Sequence, residues 1–158
     1  MFLRTESIPT KKLIGLSTQM SLADNKTFEL WHHFMRRRKE ITNATEKFLY
    51  SMQVYNKNYN PADVNAIFEK RAVVAVSHFE NTPSGMQTFV LPAGAYAVFL
   101  HRGTATEAPK TFQYIFGVWL PNSNYLIDSR PHFEILDEKY KNGDPNSEEE
   151  IWIPIRLK

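Results

Sequence analysis

The spacing of apolar residues changes several times along the chain, and each change marks an element. Leu3 to Ile8 and Lys12 to Thr18 read as two strands punctuated by Pro9. From about Asp24 the period lengthens: Phe28, Trp31 and Met35 fall at i, i+3 and i+7, and Leu30 and Phe34 widen the stripe. That spacing predicts an amphipathic helix. Asp24 or Asn25 is placed to cap its start, and Arg36 to Lys39 lie near its end, where cations complement the helix dipole. Strand signals return at Phe48 to Tyr55, Ala72 to Ser77, Met86 to Leu91 and Tyr96 to His101, with loops at 56–61 and 81–85. Pro61 to Lys70 predicts a helical turn between the first two of these. A second helix fits Glu107 to Trp119, because Phe112, Ile115, Phe116 and Trp119 follow i, i+3, i+4 and i+7. Pro109 suits its first turn and Pro121 limits its extension. Two last strands are predicted near His132 to Leu136 and Glu149 to Arg156, separated by the turn-rich segment 142–146.

The order is strands, helix, strands, repeated once. Each part pairs an apolar strand, 12–16 or 96–100, with one helix rich in aromatics, a hint of duplication with halves of about 1–80 and 81–158. The predicted architecture is α+β: a mostly antiparallel sheet of duplicated βαββ-type modules, two main helices on one face and a ligand cleft on the other. The 158 residues suit one domain over 1–158. No apolar run approaches the ~18–20 residues that span a bilayer, and the first ten residues carry Arg4, Glu6 and Pro9 rather than a signal-peptide core. The absence of cysteine removes disulfides, zinc–thiolate sites and thiol nucleophiles, and suits a cytoplasmic protein. A net charge of +2 is too small to imply a nucleic-acid partner.

Familiar catalytic signatures are missing: no Gly-x-Ser-x-Gly elbow, no P-loop, no Gly-x-Gly-x-x-Gly. His32 and His33 are adjacent and diverge on a helix, and His78, His101 and His132, read as strand residues, lack a carboxylate at ligand spacing, so no metal site is predicted. Arg36 to Lys39 and Glu148 to Glu150 read as ordinary solvated charge. The last forty residues say more. Alternation puts Phe133 and Ile135 on one face of their strand and Glu134 on the other. In the last strand Ile151, Ile153 and Ile155 share a face, opposite Glu150, Trp152 and Pro154. With the aliphatic faces on the helices, Glu134 and Trp152 project together from the free face. A carboxylate among aromatics is costly unless a donor or cation compensates it, and a ligand cation fits that need. The same pattern also describes an exposed strand glutamate beside a packed tryptophan.

At these residues the sequence resembles the GyrI-like small-molecule-binding family, the effector-binding domain at the C-termini of AraC- and MerR-type regulators. The resemblance runs in order through 12–16, Leu30 to Met35, Pro92 to Phe99 with His101 to Gly103, Trp119 to Pro121, Phe133-Glu134 and Ile151 to Ile155. It implies a duplicated βαββ-type fold with a cleft between the halves, lined by aromatics around a central acidic residue. That residue falls on Glu134, and the aromatic of the C-terminal strand falls on Trp152. Tyr96 and Trp119 lie in matching segments, and Trp31 completes the candidate walls. The helix-turn-helix region of the regulators has no counterpart here, so a stand-alone member without direct DNA contact is expected.

Three functions compete at this point. The first is capture of a small hydrophobic or cationic ligand, with no cofactor, no membrane and an unknown protein partner. The second is hydrolysis of a reactive toxin in the same cleft, with Glu134 as catalytic base and His132 as its nearest acid–base partner. The third is a gyrase-inhibitor-like protein contact through the charged patches. Binding without catalysis is the preferred expectation.

Overall fold

A computed structural model describes residues 1–158. In chain order the elements are β1 (Phe2–Ile8), β2 (Lys11–Met20), α1 (Thr27–Arg37), β3 (Leu49–Val54), β4 (Phe68–Val76), β5 (Gln87–Leu91), β6 (Gly94–Arg102), α2 (Ala108–Tyr114), β7 (Tyr125–Ile127), β8 (His132–Leu136) and β9 (Glu148–Leu157). A 3₁₀ turn, Arg38–Glu40, extends α1, and a π-helical turn, Ile115–Trp119, extends α2. All pairings are antiparallel, in the order β1-β6-β9-β8-β3-β4-β2-β5, with β7 added beside β9. No helix is long and apolar enough to cross a membrane.

Two short links bend this sheet. β1 and β2 lie six strand positions apart yet are joined by Pro9 and Thr10 alone. β5 and β6, also six positions apart, are joined by Pro92 and Ala93. Six spacings across a flat sheet would separate the strands by roughly 29 Å, whereas a two-residue link reaches only about 11 Å. The sheet therefore curls until its ends meet. The inner face closes over one cluster that draws on both ends: Leu13, Val73, Ala75 and Leu91 from one, Ile8, Tyr96, Val98 and Trp152 from the other, with Tyr50, Met52 and Phe133 between them. On the outer face α1 buries Leu30 and Phe34 against Ile14, Leu49, Ala72, Val74 and Val76. The α2 segment packs Ile115 against Ala97, Phe99, Ile151, Ile153 and Ile155.

The α+β class and the two helices on one face follow the sequence reading. The repeat is visible in the element order: β2-α1-β3-β4 and β6-α2-β8-β9 are alike and meet at the central β3–β8 pair. Each edge strand crosses over, since β1 pairs with β6 and β5 pairs with β2. Four details differ from expectation. β4 begins at Phe68, so the segment from Pro61 forms turns only and Lys70 is already in a strand. β7 has no counterpart among the predicted strands, being only three residues long. His78 lies in a loop. Asn25 accepts from the backbone N–H of Thr27 at 2.9 Å, but the capping position is Lys26, without a side-chain cap.

Gly15, between Val73 on β4 and Gln87 on β5, has no room for a side chain. A Cβ there would run into the Ala72 carbonyl oxygen and lie 2.9 Å from Val73 Cα, both backbone atoms of a buried neighbour. Gly15→Ala is expected to cost about 3 kcal/mol or more, the range of forced overpacking. Gly117→Ala, whose Cβ would meet nothing within 4 Å, is expected to leave the melting curve nearly unchanged. Urea denaturation of the two variants checks both.

Candidate functional site

The register of the sheet lines up one outer-face row across seven strands: Leu16, Ala72, Ser51, Glu134, Ile151, Phe99 and Phe2. Glu134 is its midpoint. To one side lies the apolar cluster under α1, to the other the cluster under α2, so its carboxylate sits in the seam between the two helices. The next outer-face row is Thr18, Lys70, Gln53 and His132. The Gln53 amide donates to Glu134 Oε1 at 3.2 Å.

Three ionisable groups on this face act on one another through their charges. Desolvation raises the Glu134 carboxyl above its ordinary range, opposed by the charge of Lys70, the Gln53 hydrogen bond and the charge of His101. Glu149 is raised to about 7, by desolvation first and then by the charge of Glu134, with Lys70 acting against both. Lys70 is 7% exposed, and burial lowers its ammonium despite the pull of Glu134 and Glu149. Neither carboxylate comes within 4.0 Å of its Nζ, and Lys70 donates no hydrogen bond. Glu134 itself keeps partial solvent exposure. Glu134 is therefore strongly desolvated and still reachable by solvent.

Aromatic rings border one end. Tyr55 packs edge-on to His132 at 5.0 Å and beside Phe68 and Tyr59 at 5.2 and 4.5 Å. Phe116, carried by the π-helical turn, lies 6.5 Å from His132. The phenols of Tyr55 and Tyr140 are held above their ordinary range, by burial first and then by nearby carboxylates. Burial pushes His132 down to about 4, so it is neutral near pH 7. Beyond Tyr55 and His132 opens a cavity of about 440 Å³ bordered by Lys57, Asp128, Arg130 and Arg156. At the far end of the floor, His101 ties β6 to α2. Its Nε2–H donates to the Thr104 carbonyl at 3.1 Å, and its other nitrogen lies 2.7 Å from the Thr111 hydroxyl.

The expected partnership of Glu134 with Trp152 does not form. Phe133, not Glu134, stands opposite Trp152, and the two rings stack at 5.3 Å on the inner face. Glu134 stands opposite Ile151 and shares the outer face with the isoleucines. Alternation within each strand is as read; what differs is which face of β8 matches which face of β9. Glu134 correspondingly lies on the helix face of the sheet rather than opposite it. Tyr96 is fully buried in the inner cluster, its hydroxyl donating to the Pro131 carbonyl at 2.8 Å. Trp119 stacks on Phe2 at 4.9 Å and meets Phe99 edge-on at 5.0 Å, which anchors the end of the α2 segment near the sheet edge. Trp31 packs edge-on to Phe34 at 5.7 Å under α1.

Lys70, Gln53 and Glu149 escaped the sequence reading. Lys70 fell in the segment taken for a helical turn, and Glu149 was hidden in the acidic run Glu148 to Glu150. The available signal was strand parity: Glu149 alternates with Ile151 and Ile153, which places it on their face.

The sequence pattern of the GyrI-like small molecule binding domain matches residues 1–156. The chain belongs to the GyrI-like family. Among its relatives, the transcriptional regulator BrlR of Pseudomonas aeruginosa is 28% identical over 157 residues, 98% of this chain and 56% of BrlR. This GyrI-like chain thus spans about half the length of that regulator. Two solved structures share the fold. SAV2435 bound to tetraphenylphosphonium superposes with a TM-score of 0.71 at 14% identity, covering 99% of this chain and 94% of that one. The EcmrR C-terminal domain gives 0.68 at 17% identity, covering 100% and 99%.

The Glu149 carboxyl has a measurable consequence for stability. The folded protein holds its proton up to about pH 7, whereas the unfolded chain releases it near 4.5. The stabilisation from that proton is complete below the lower value and is lost as pH rises through the upper one. Between about pH 5 and 8, Glu149→Gln is expected to flatten the decline in melting temperature relative to the parent, measured by scanning calorimetry at several pH values.

Proposed function

We propose that the cleft between α1 and α2 binds a small, largely apolar molecule bearing one positive charge, with Glu134 as its counter-ion. The observation that supports this reading best is the placement of Glu134: a desolvated carboxylate at the midpoint of the sheet, still reachable, whose one hydrogen bond comes from an uncharged amide. A buried carboxylate short of partners gains from a cation more than an exposed one does, because the surrounding dielectric is low. An ionised Glu134 supplies one negative charge, which suits a monocation. His132 adds no competing charge near neutrality.

In this reading Tyr55, His132 and Phe116 line the cleft and Tyr140 borders the carboxylates, while Trp31 and Trp119 anchor their helices to the sheet. Trp152 and Tyr96 hold the inner core and shape the sheet without touching ligand. The tetraphenylphosphonium carried by SAV2435 and the regulator role named for BrlR support a small-molecule-binding module related to regulator effector domains. The protein would act in the cytoplasm, capturing compounds or reporting them to a partner.

The test is calorimetric titration with tetraphenylphosphonium and with a neutral analogue, triphenylphosphine oxide, following tryptophan fluorescence in parallel. The parent is expected to bind the cation saturably and in preference to the neutral compound. Glu134→Gln is expected to lose at least tenfold, about 1.4 kcal/mol, for the cation alone. Affinity for the cation is expected to fall as pH is lowered through the raised range of the two carboxyls. Equal affinity for both compounds, or no effect of Glu134→Gln, overturns the reading.

A further inference from the structure

Cation capture leaves the cavity beyond Tyr55 and His132 without a use. Its volume of about 440 Å³ admits a small organic molecule. None of Gln53, Lys70, Glu134 and Glu149 borders it. Segments distant in the chain do: 55–57 after β3, 127–130 with His132 around the β7–β8 link, and Arg156 near the end of β9. The charge on its wall is one-sided. Lys57, Arg130 and Arg156 border it with a single carboxylate, Asp128, and His132 is neutral near pH 7. That carboxylate is already engaged: Arg130 Nε–H donates to it at 2.9 Å and the Ser129 backbone N–H at 2.8 Å. Arg130 is engaged as well, its Nη2 donating to the Ala95 and Ile155 carbonyls at 2.6 and 3.2 Å. Lys57 and Arg156 are exposed and have no carboxylate within 4.0 Å. Two unpaired cations on one concave wall raise the local concentration of anions and gain from holding one.

We infer that this cavity binds a small aromatic phosphate monoester, with Arg156 and Lys57 holding the phosphate and Tyr55 and Ile127 offering the ring an apolar wall. A guanidinium fork matches two oxygens of such a group, and an ammonium adds a compact point charge. A phosphate monoester carries about −1.5 to −2 charges near pH 7, which answers both unpaired cations, whereas a carboxylate answers one. Two further donors border the cavity. Asn56 Oδ1 accepts from the Asn58 N–H at 2.9 Å, which leaves the Asn56 amide N–H groups for a ligand, and Ser129 adds its hydroxyl. Asp128 does not oppose the anion strongly, because its charge is shared with Arg130 and Ser129. The inference goes beyond the cation reading: it shares Tyr55 and His132 with that cleft and does not involve Glu134.

The experiment is calorimetric titration of the full chain at pH 7 and constant ionic strength with 1-naphthyl phosphate, 1-naphthol and inorganic phosphate. The expected result is saturable binding of 1-naphthyl phosphate at one site, at least tenfold tighter than either fragment. Arg156→Gln and Lys57→Gln are each expected to weaken it at least fivefold while leaving any 1-naphthol binding as it was. Both side chains are exposed, so neither variant is expected to move the melting curve. Lys39→Gln, which removes an exposed cation that does not border the cavity, is expected to keep the parent affinity within twofold. Equal losses in all three variants report net charge alone and overturn the inference. Binding of 1-naphthyl phosphate no tighter than 1-naphthol or inorganic phosphate overturns it too. The same aryl phosphate occurs on phosphotyrosine side chains. A short phosphotyrosine peptide that binds more tightly than 1-naphthyl phosphate overturns the assignment to a free small molecule.

Discussion

Two dipeptide links, Pro9-Thr10 and Pro92-Ala93, constrain the rest of the molecule. Each joins strands six positions apart, so the sheet must curl, and a curled sheet with helices on its outer side has no free face. Most residues of the central strands are then either in the inner cluster or under the helices. A polar side chain there loses water whichever way it points. Glu134, Glu149 and Lys70 are expensive residues for this reason, and their perturbed acidities share burial as the leading cause.

The two buried faces divide the aromatic residues between two tasks. Inside, Tyr50, Tyr96, Phe133 and Trp152 fill the closed sheet, with ring centroids 5.0 to 5.9 Å apart where they meet. Their polar ends find partners at the rim: Trp152 Nε1–H donates to Glu150 at 3.1 Å, and Arg4 reaches the same carboxylate. The Arg130 guanidinium lies over the Tyr96 ring at 4.7 Å, in space that Gly94 leaves by having no Cβ. Outside, Tyr55, Tyr59, Phe68 and Phe116 belong to the seam between the helices. The aromatic residues therefore serve two layers rather than one.

Glu134 lies where the two βαββ units meet. β3 and β8 are the innermost strands of each unit, and Glu134 on β8 faces Ser51 on β3 across that junction. Each helix packs on its own unit, on either side of that junction.

Local pattern determined much of this. The helical stripe around Phe28, Trp31 and Met35 and the alternation along Phe133 to Ile135 and Ile151 to Ile155 are properties of consecutive residues, so the two helices and most strands were legible, as was Glu134 as an outlying carboxylate. Pairing between strands is not such a property. Which face of β8 meets which face of β9 depends on register, and a one-residue offset sends Trp152 to the inner core and leaves Glu134 under the helices. Lys70 and Glu149 lie far from Glu134 in the chain and become its neighbours only through strands β3, β4 and β9. The sequence by itself settled the elements, the class of fold and one carboxylate. The curl of the sheet decided which side chains share the cleft, because burial and proximity are set by pairings between distant strands.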